Sequence, residues 1–353
     1  MADLPKNSIA LTVNGKTFEG FEGGNVQLTM EDACNTFSLD YVADGKKPGA
    51  RAIFAGDECE LSIDAGSGME SLIKGFVDGV SDSDDGRSIL LSCNGRSMPL
   101  DLYDASAVTK PGSWKNASLS KIANDIAKPF GVKVVIDGDA GDPFTWFSIS
   151  KGETGFEAIH RAATKRGMWP FSVGGDLVIA TAGSKSSGAK LERGKNIVRS
   201  SRTDSWQGRH SEYIYRGQVR GTDSSSGKKA SQNKASVKDA TINRYRPLLL
   251  QSSGVASELK MRAQVEANTR AGRGEVITCV VDGWGTPAGK VYRPNTTADF
   301  KNDVLGVDAT LLIVAASYNL GAHVSRDVEL RMMRKEAFDM VAFPKAKRGA
   351  KLT

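Results

Sequence analysis

A change of hydrophobic period, made twice, limits most strongly what this chain can become. Residues 113–180 carry helical spacing, and the sequence on either side alternates at period two. Within the middle stretch, Leu119, Ile122, Ala123, Ile126 and Ala127 fall on one stripe of a helix, with Asn116 or Ser118 as its N-cap. Pro129 and Gly131 stop that helix, and residues 132–136 read as a short buried strand. Thr154-Gly-Phe-Glu157 has the spacing of a capping box, in which side chain and backbone satisfy each other across the first turn. Phe156, Ile159 and Ala163 continue as an apolar face that ends at Gly167. Residues 171–173, Gly174-Gly175 and residues 177–180 then read as a hairpin.

The flanks are strand-rich. Before the middle stretch, residues 9–13 and 17–21 are joined by Asn14-Gly15, a pair suited to a type I′ turn, and strands follow at 26–30, 37–42, 60–64, 72–80 and 88–93. After it, strands are predicted at 212–216, 218–219, 276–281, 297–302, 310–319 and 327–332, with a helix of good helix formers at 257–271 ending at Gly272. Residues 221–239, rich in Ser, Lys and Gly, read as a polar insertion.

The two flanks share a spacing. Strands begin near Phe37, Glu60, Leu72 and Ser88 in the first, in steps of 23, 12 and 16; in the second they begin near Val276, Thr297, Thr310 and Asp327, in steps of 21, 13 and 17. One β-domain therefore occurs twice. The expected fold is α+β and mainly β, with two similar antiparallel β-barrel domains flanking a small α/β module. The division is 1–105, first barrel; 106–199, middle module; 200–343, second barrel with helix 257–271 and insertion 221–239; and 344–353, a basic tail. A trimer of such a chain would set six similar barrels around one axis, a ring able to meet a six-fold object on one face and a three-fold object on the other.

The middle stretch also carries a family likeness. Gly152-Glu153-Thr154, then Ile159, Arg161, Ala163 and Gly167, then Gly175-Asp176-Leu177-Val178, resembles the middle domain of baseplate hub proteins from contractile phage tails. The likeness is to the phage Mu-like group, which is similar in turn to the hub part of type VI secretion spikes (VgrG), and it extends over residues 8–338. It implies a structural protein: a homotrimeric ring joining the hexameric tail tube to the central spike, in contact with other baseplate proteins. DNA would pass through the lumen without a specific site. It places the chain in the tail baseplate of a virion, assembled in the host cytoplasm, with the tail after Phe343 as a contact for the spike or a neighbouring baseplate protein. The alternatives are a cell-wall-degrading hydrolase of a phage tail and an OB-like nucleic-acid-binding protein.

The chemistry-bearing residues fit the structural reading. With 353 residues, 40 % of them apolar, the chain can bury a large core, and no run nears the roughly 18 apolar residues that span a bilayer. The start, MADLPKNSIAL, lacks the basic opening and apolar core of a secretory signal, so no membrane anchor is expected. A net charge of +6 is mild for a nucleic-acid binder. Cys34, Cys59, Cys93 and Cys279 have no metal or disulfide spacing and read as buried free thiols. His160, His210 and His323 lie in no recognisable triad. Asp82, Asp84 and Asp85 lack the later ligands of a calcium loop and read as a solvated hairpin, and Asp137, Asp139 and Asp142 read as turn residues. Glu153 and Glu157 share one helical turn and cannot straddle a sugar. Trp206, Tyr213, Tyr215, Trp284 and Tyr292, interleaved with Arg209, Arg216 and Arg220, could stack on single strands, but core packing is the plainer role. No catalytic, cofactor-binding or metal-binding residue is assigned, and no cofactor is expected.

Overall fold

The computed structural model describes residues 8–44, 52–85, 88–217, 233–252, 256–321 and 326–338. The chain is mainly β, 52 % strand and 16 % helix. The first flank supplies β1 (Ile9–Val13), β2 (Lys16–Phe18), β3 (Gly23–Thr29), β4 (Thr36–Asp44), β5 (Glu58–Asp64), β6 (Met69–Asp84) and β7 (Ser88–Ser97). Asn14 and Gly15 both take positive φ, 51° and 77°, so the hairpin closes in two residues and Val13 pairs with Lys16. Alternation does the rest: Cys59, Leu61 and Ile63 of β5 are buried, and the residues between them are half-buried.

The middle of the chain folds as α1 (Leu100–Asp104), β8 (Ser113–Ala117), α2 (Leu119–Ala127), β9 (Val134–Asp137), β10 (Phe144–Ser148), α3 (Gly155–Thr164), β11 (Trp169–Val173) and β12 (Asp176–Ala180). Ser118 caps α2, its Oγ accepting from the Lys121 amide at 3.2 Å; the other candidate, Asn116, lies within β8 at a φ of 55°. The capping box of α3 is complete: the Glu157 amide donates to Thr154 Oγ1 (3.2 Å) and the Thr154 amide to Glu157 Oε2 (2.9 Å). β11 and β12 form the expected hairpin, and β9 adds to β12 in parallel. The β8–β10 ribbon was not legible. Ser113, Lys115 and Asn116 break the apolar alternation of β8, and the ribbon is held by the ring cluster of Trp114, Phe144 and Phe147 beneath it.

The second flank contains β13 (Lys185–Glu192), β14 (Ile197–Asp204), β15 (Glu212–Gly217), β16 (Asn233–Lys238), β17 (Pro247–Gln251), α4 (Ala256–Gly274), β18 (Glu275–Asp282), β19 (Thr296–Asn302), β20 (Val307–Leu320) and β21 (Asp327–Met333). β16, β15 and β17 make a small sheet with α4 laid across it, burying Tyr213, Ala263 and Ala267. The end of the polar insertion is thus a strand, β16, while residues 218–232 lie outside the described residues, as do His323 and the basic tail. β13 and β14 went unanticipated because edge strands this polar lack an apolar stripe.

The doubled spacing reflects a doubled topology. The first flank runs β3-β4-β7-β6-β5-β1 and the second β14-β18-β21-β20-β19-β13. Even an irregularity recurs: the β6–β7 register shifts between Val77 and Gly79, and the β20–β21 register between Ile313 and Ala315. Two differences stand out. β1 is antiparallel to β5 whereas β13 is parallel to β19, and β15–β17 with α4 are inserted between β14 and β18.

The two copies are not separate barrels. β3 pairs antiparallel with β20, from Thr29 opposite Ala315 to Gly24 opposite Leu320, so both copies belong to one 13-stranded sheet. No closed barrel is found among the described residues, which corrects the expectation of two barrel domains. The reason is a pairing between residues nearly 300 apart, which strand spacing does not encode. One apolar core runs through both copies, with Leu11, Leu39 and Leu61 in the same cluster as Ile313, Tyr318 and Leu330.

Candidate functional site

The carboxylates offered first by the sequence are occupied structurally. Arg161 grips Glu153 through Nε to Oε1 (2.7 Å) and Nη2 to Oε2 (2.8 Å), and the Ser150 amide donates to Glu153 Oε2 at 2.8 Å. The same guanidinium donates to the Ser148 carbonyl and lies 4.4 Å over the Phe147 ring. Hydrogen bonding from Arg161 holds the Glu153 carboxyl below the usual carboxylate range, the opposite of what a general acid needs. Glu157 is committed to the helix cap. Glu153 therefore acts as a clamp that ties α3 to the ribbon in front of it. Glu153→Gln is expected to lose about 2 kcal/mol of stability at neutral pH, from charge-assisted bonds to a mostly buried carboxylate. Because the folded value is depressed, the clamp's contribution is present above the unfolded carboxyl value and is lost as pH falls through the folded one. Urea titrations of wild type and variant should therefore converge in acid, and a constant gap would refute the clamp.

The other candidates are equally committed. Asp176 pairs with Lys133 at 2.7 Å and Asp137 with Lys185 at 2.5 Å, while Asp139 accepts from the Gly141 amide. Asp82 and Asp84 are exposed at the end of β6, and Asp85 Oδ1 accepts from the Ser88 amide at 2.8 Å, closing the turn. No group of metal-ligating side chains occurs among the described residues. His160 packs between Phe156 and Trp169, at 6.0 and 5.3 Å between ring centres, and burial lowers its pKa. His210 stacks edge-on against Tyr213, and burial likewise lowers its pKa. Tyr213, Trp284 and Tyr292 are core residues and Arg209 is tied to Asp239 at 2.8 Å, while Trp206 and Tyr215 are half-buried, Arg216 is exposed and Arg220 lies outside the described residues. All four cysteines are free and buried. Burial pushes Cys34, Cys59 and Cys279 up to about 12 and Cys93 to about 11.

What the fold elaborates is the joint between the two copies. Asn25 Nδ2 donates to Asn319 Oδ1 at 2.8 Å across the β3–β20 pairing, and Trp284 Nε1 donates to the Asn319 carbonyl. Asn35, which carried no sequence signal, is buried beside this joint. Its Oδ1 accepts from the Thr29 amide, its amide nitrogen donates to Ser97 Oγ, and its Nδ2 donates to the Ser172 carbonyl, linking the first copy to the middle module. The middle module reaches the second copy through Trp169, whose Nε1 donates to the Phe338 carbonyl at 2.9 Å, and through Asn295, whose Oδ1 accepts from the Gly183 amide.

The described residues are organised around a repeated sheet, with Glu153, Asp176 and Asp137 engaged in ion pairs and Glu157 in a helix cap. Comparison with known proteins identifies the kind of protein. The N-terminal domain of Mu phage baseplate assembly protein GpP-like matches residues 8–97, the second domain of baseplate hub protein gp44-like matches 100–181, and the fourth domain of Mu phage baseplate assembly protein GpP matches 255–341. Baseplate hub protein gp44 of Escherichia phage Mu is 27 % identical over 321 residues, 88 % of this chain and 83 % of that protein. The 43 kDa tail protein of prophage MuSo2 from Shewanella oneidensis superposes with a TM-score of 0.83 at 29 % identity, covering 95 % of this chain and all of that one. A type VI secretion component of E. coli, described as similar to the T4 tail proteins gp27 and gp5, shares the fold alone: TM-score 0.61, 9 % identity, 95 % and 80 % covered. The chain is a homologue of the phage Mu baseplate hub. It is a phage baseplate or tail structural protein and not an enzyme.

Proposed function

We propose that three copies of this chain form a ring that adapts the six-fold tail tube to the three-fold central spike within the baseplate. The observation that carries this reading is the doubled six-strand topology. Two similar modules per chain and three chains per ring give six similar modules around an axis, which satisfies a six-fold partner on one face and a three-fold one on the other. The three-part organisation belongs to this proposal: two β-modules act as ring segments, with β13 and β14 counted in the second, and the middle module braces them. The ring encloses a lumen through which DNA passes without a specific site. Tail tube, spike and neighbouring baseplate proteins are its partners, and it is assembled in the host cytoplasm before entering the virion tail. Neither a wall hydrolase nor an OB-like binder is favoured by any observation: Glu153 is clamped by Arg161, and Tyr213, Trp284 and Tyr292 are buried in the core. Negative-stain images of the purified protein test the proposal. A six-lobed ring with an open centre is expected, and a compact particle without a lumen would overturn it.

A further inference from the structure

The doubling is broken at one place. β14 and β18 of the second copy correspond to β3 and β4 of the first, which residues 30–35 connect directly. Between β14 and β18 stand residues 205–274 instead, the insert that holds β15, β16, β17 and α4. Its sheet is covered on one face only. Tyr213, Tyr215, Val237 and Leu248 pack toward α4, and strand alternation turns Ile214, Arg216, Lys234, Lys238, Leu249 and Gln251 the other way. All of these except Ile214 are exposed, Leu249 at 51 %.

The open face calls for an anionic partner. Arg216 lies directly opposite Lys234, a like-charge cross-strand pair that costs stability, and among the described residues neither has an ion-pair partner. Gln251 stands on the other side of Arg216, so three hydrogen-bond donors sit abreast across the sheet. Lys238 is opposite Glu212, which offsets it, so the uncompensated charge is at the Arg216 end. Next to that row Ile214 lies opposite Leu249 and makes an apolar centre. Apolar centre and charged rim together are the anatomy of a protein contact. A single-stranded nucleic acid would need rings to stack on, and the sheet's own Tyr213 and Tyr215 are turned toward α4.

We infer that this face docks an acidic protein segment carrying an apolar side chain, and that the segment belongs to the three-fold partner, the spike. The choice of partner rests on the ring proposed above. A six-fold tube makes six like contacts and can use only surfaces that both copies possess. The insert occurs once per chain, hence three times in a ring of three, and its face is repeated as a three-fold object requires. Leu249 and Ile214 receive the apolar side chain, and Arg216, Lys234 and Gln251 take the carboxylates beside it.

A fluorescein-labelled peptide that alternates glutamate with leucine, titrated with the full-length chain, tests the contact. Saturable binding of one peptide per chain, weakened by salt, is expected. Lys234→Glu should weaken it by about tenfold, and Leu249→Ser by about fivefold. Lys260→Glu, at an exposed position of α4 on the covered side, should leave it unchanged. Lys234→Glu puts a carboxylate opposite Arg216, so its urea midpoint should equal or exceed that of wild type, which separates lost binding from lost fold. Wild type that does not bind the peptide, or Lys234→Glu that binds it as well as wild type does, overturns the site. Duplex DNA that displaces the peptide and binds more tightly overturns the assignment to a protein partner. In assembled tails, Lys234→Glu should keep the tube joined and lose the spike, and loss of the tube instead overturns the three-fold assignment. A wild-type chain that binds the peptide yet stays monomeric at every concentration overturns the ring, and with it the three-fold assignment, while the acidic-segment contact stands.

Discussion

Gly75→Ala is expected to lower stability by about 3 kcal/mol or more, enough to deplete soluble protein, because the added methyl overpacks a site that cannot yield. Gly75 lies in β6 with β5 on one side and β7 on the other, opposite Cys59 and Ser97. A Cβ there would sit 1.9 Å from the Arg96 carbonyl oxygen and 2.7 Å from Ser97 Cα. Both are backbone atoms of a central strand, so relief requires moving a strand paired on both edges. Gly131→Ala makes the useful contrast. Gly131 has a φ of 67° and nothing within 4 Å of its would-be Cβ, so only the left-handed conformation is penalised, by about 1–2 kcal/mol. Urea midpoints of the two variants should rank in that order. Equal midpoints would mean that β6 and β7 are held less closely than described.

Trp284→Ala should cost about 3–5 kcal/mol, the range for emptying a buried aromatic site. Trp284 is 1 % exposed, stands edge-on to Tyr318 at 6.4 Å, and donates to the Asn319 carbonyl beside the Asn25 contact. Its loss therefore loosens the strand that carries the β3–β20 joint. Since both copies feed one apolar core, wild type and variant should each unfold both modules in a single transition, the variant at lower denaturant. Circular dichroism and tryptophan fluorescence followed together check this. Two separated transitions in the wild type would contradict the shared core.

The parts of this fold that were legible in the sequence are those written locally. Thr154 and Glu157 define a helix start within four residues, Asn14-Gly15 defines a hairpin, and alternation in β5 marks its inward face. The repeat was legible because β4–β7 and β18–β21 keep their spacing through different side chains. Pairing between distant strands was not. Nothing near Val26 announces Tyr318 as its neighbour, so two barrels were expected where one sheet runs through. β13 and β14 escaped for a related reason: edge strands rich in Ser, Lys and Arg look like loops until a partner strand is known. Asn35 was equally silent, since a lone buried amide has no pattern around it. The family likeness, by contrast, rested on short motifs around α3 and the β11–β12 hairpin, where Arg161 and Glu153 turn out to form the clamp.

The central claim is that the doubled module exists to build a ring. Light scattering on the purified protein at two concentrations addresses it most directly. A mass near three chains at both is the expected result. A single-chain mass at both would contradict the claim and leave the repeat without the assembly it is proposed to serve.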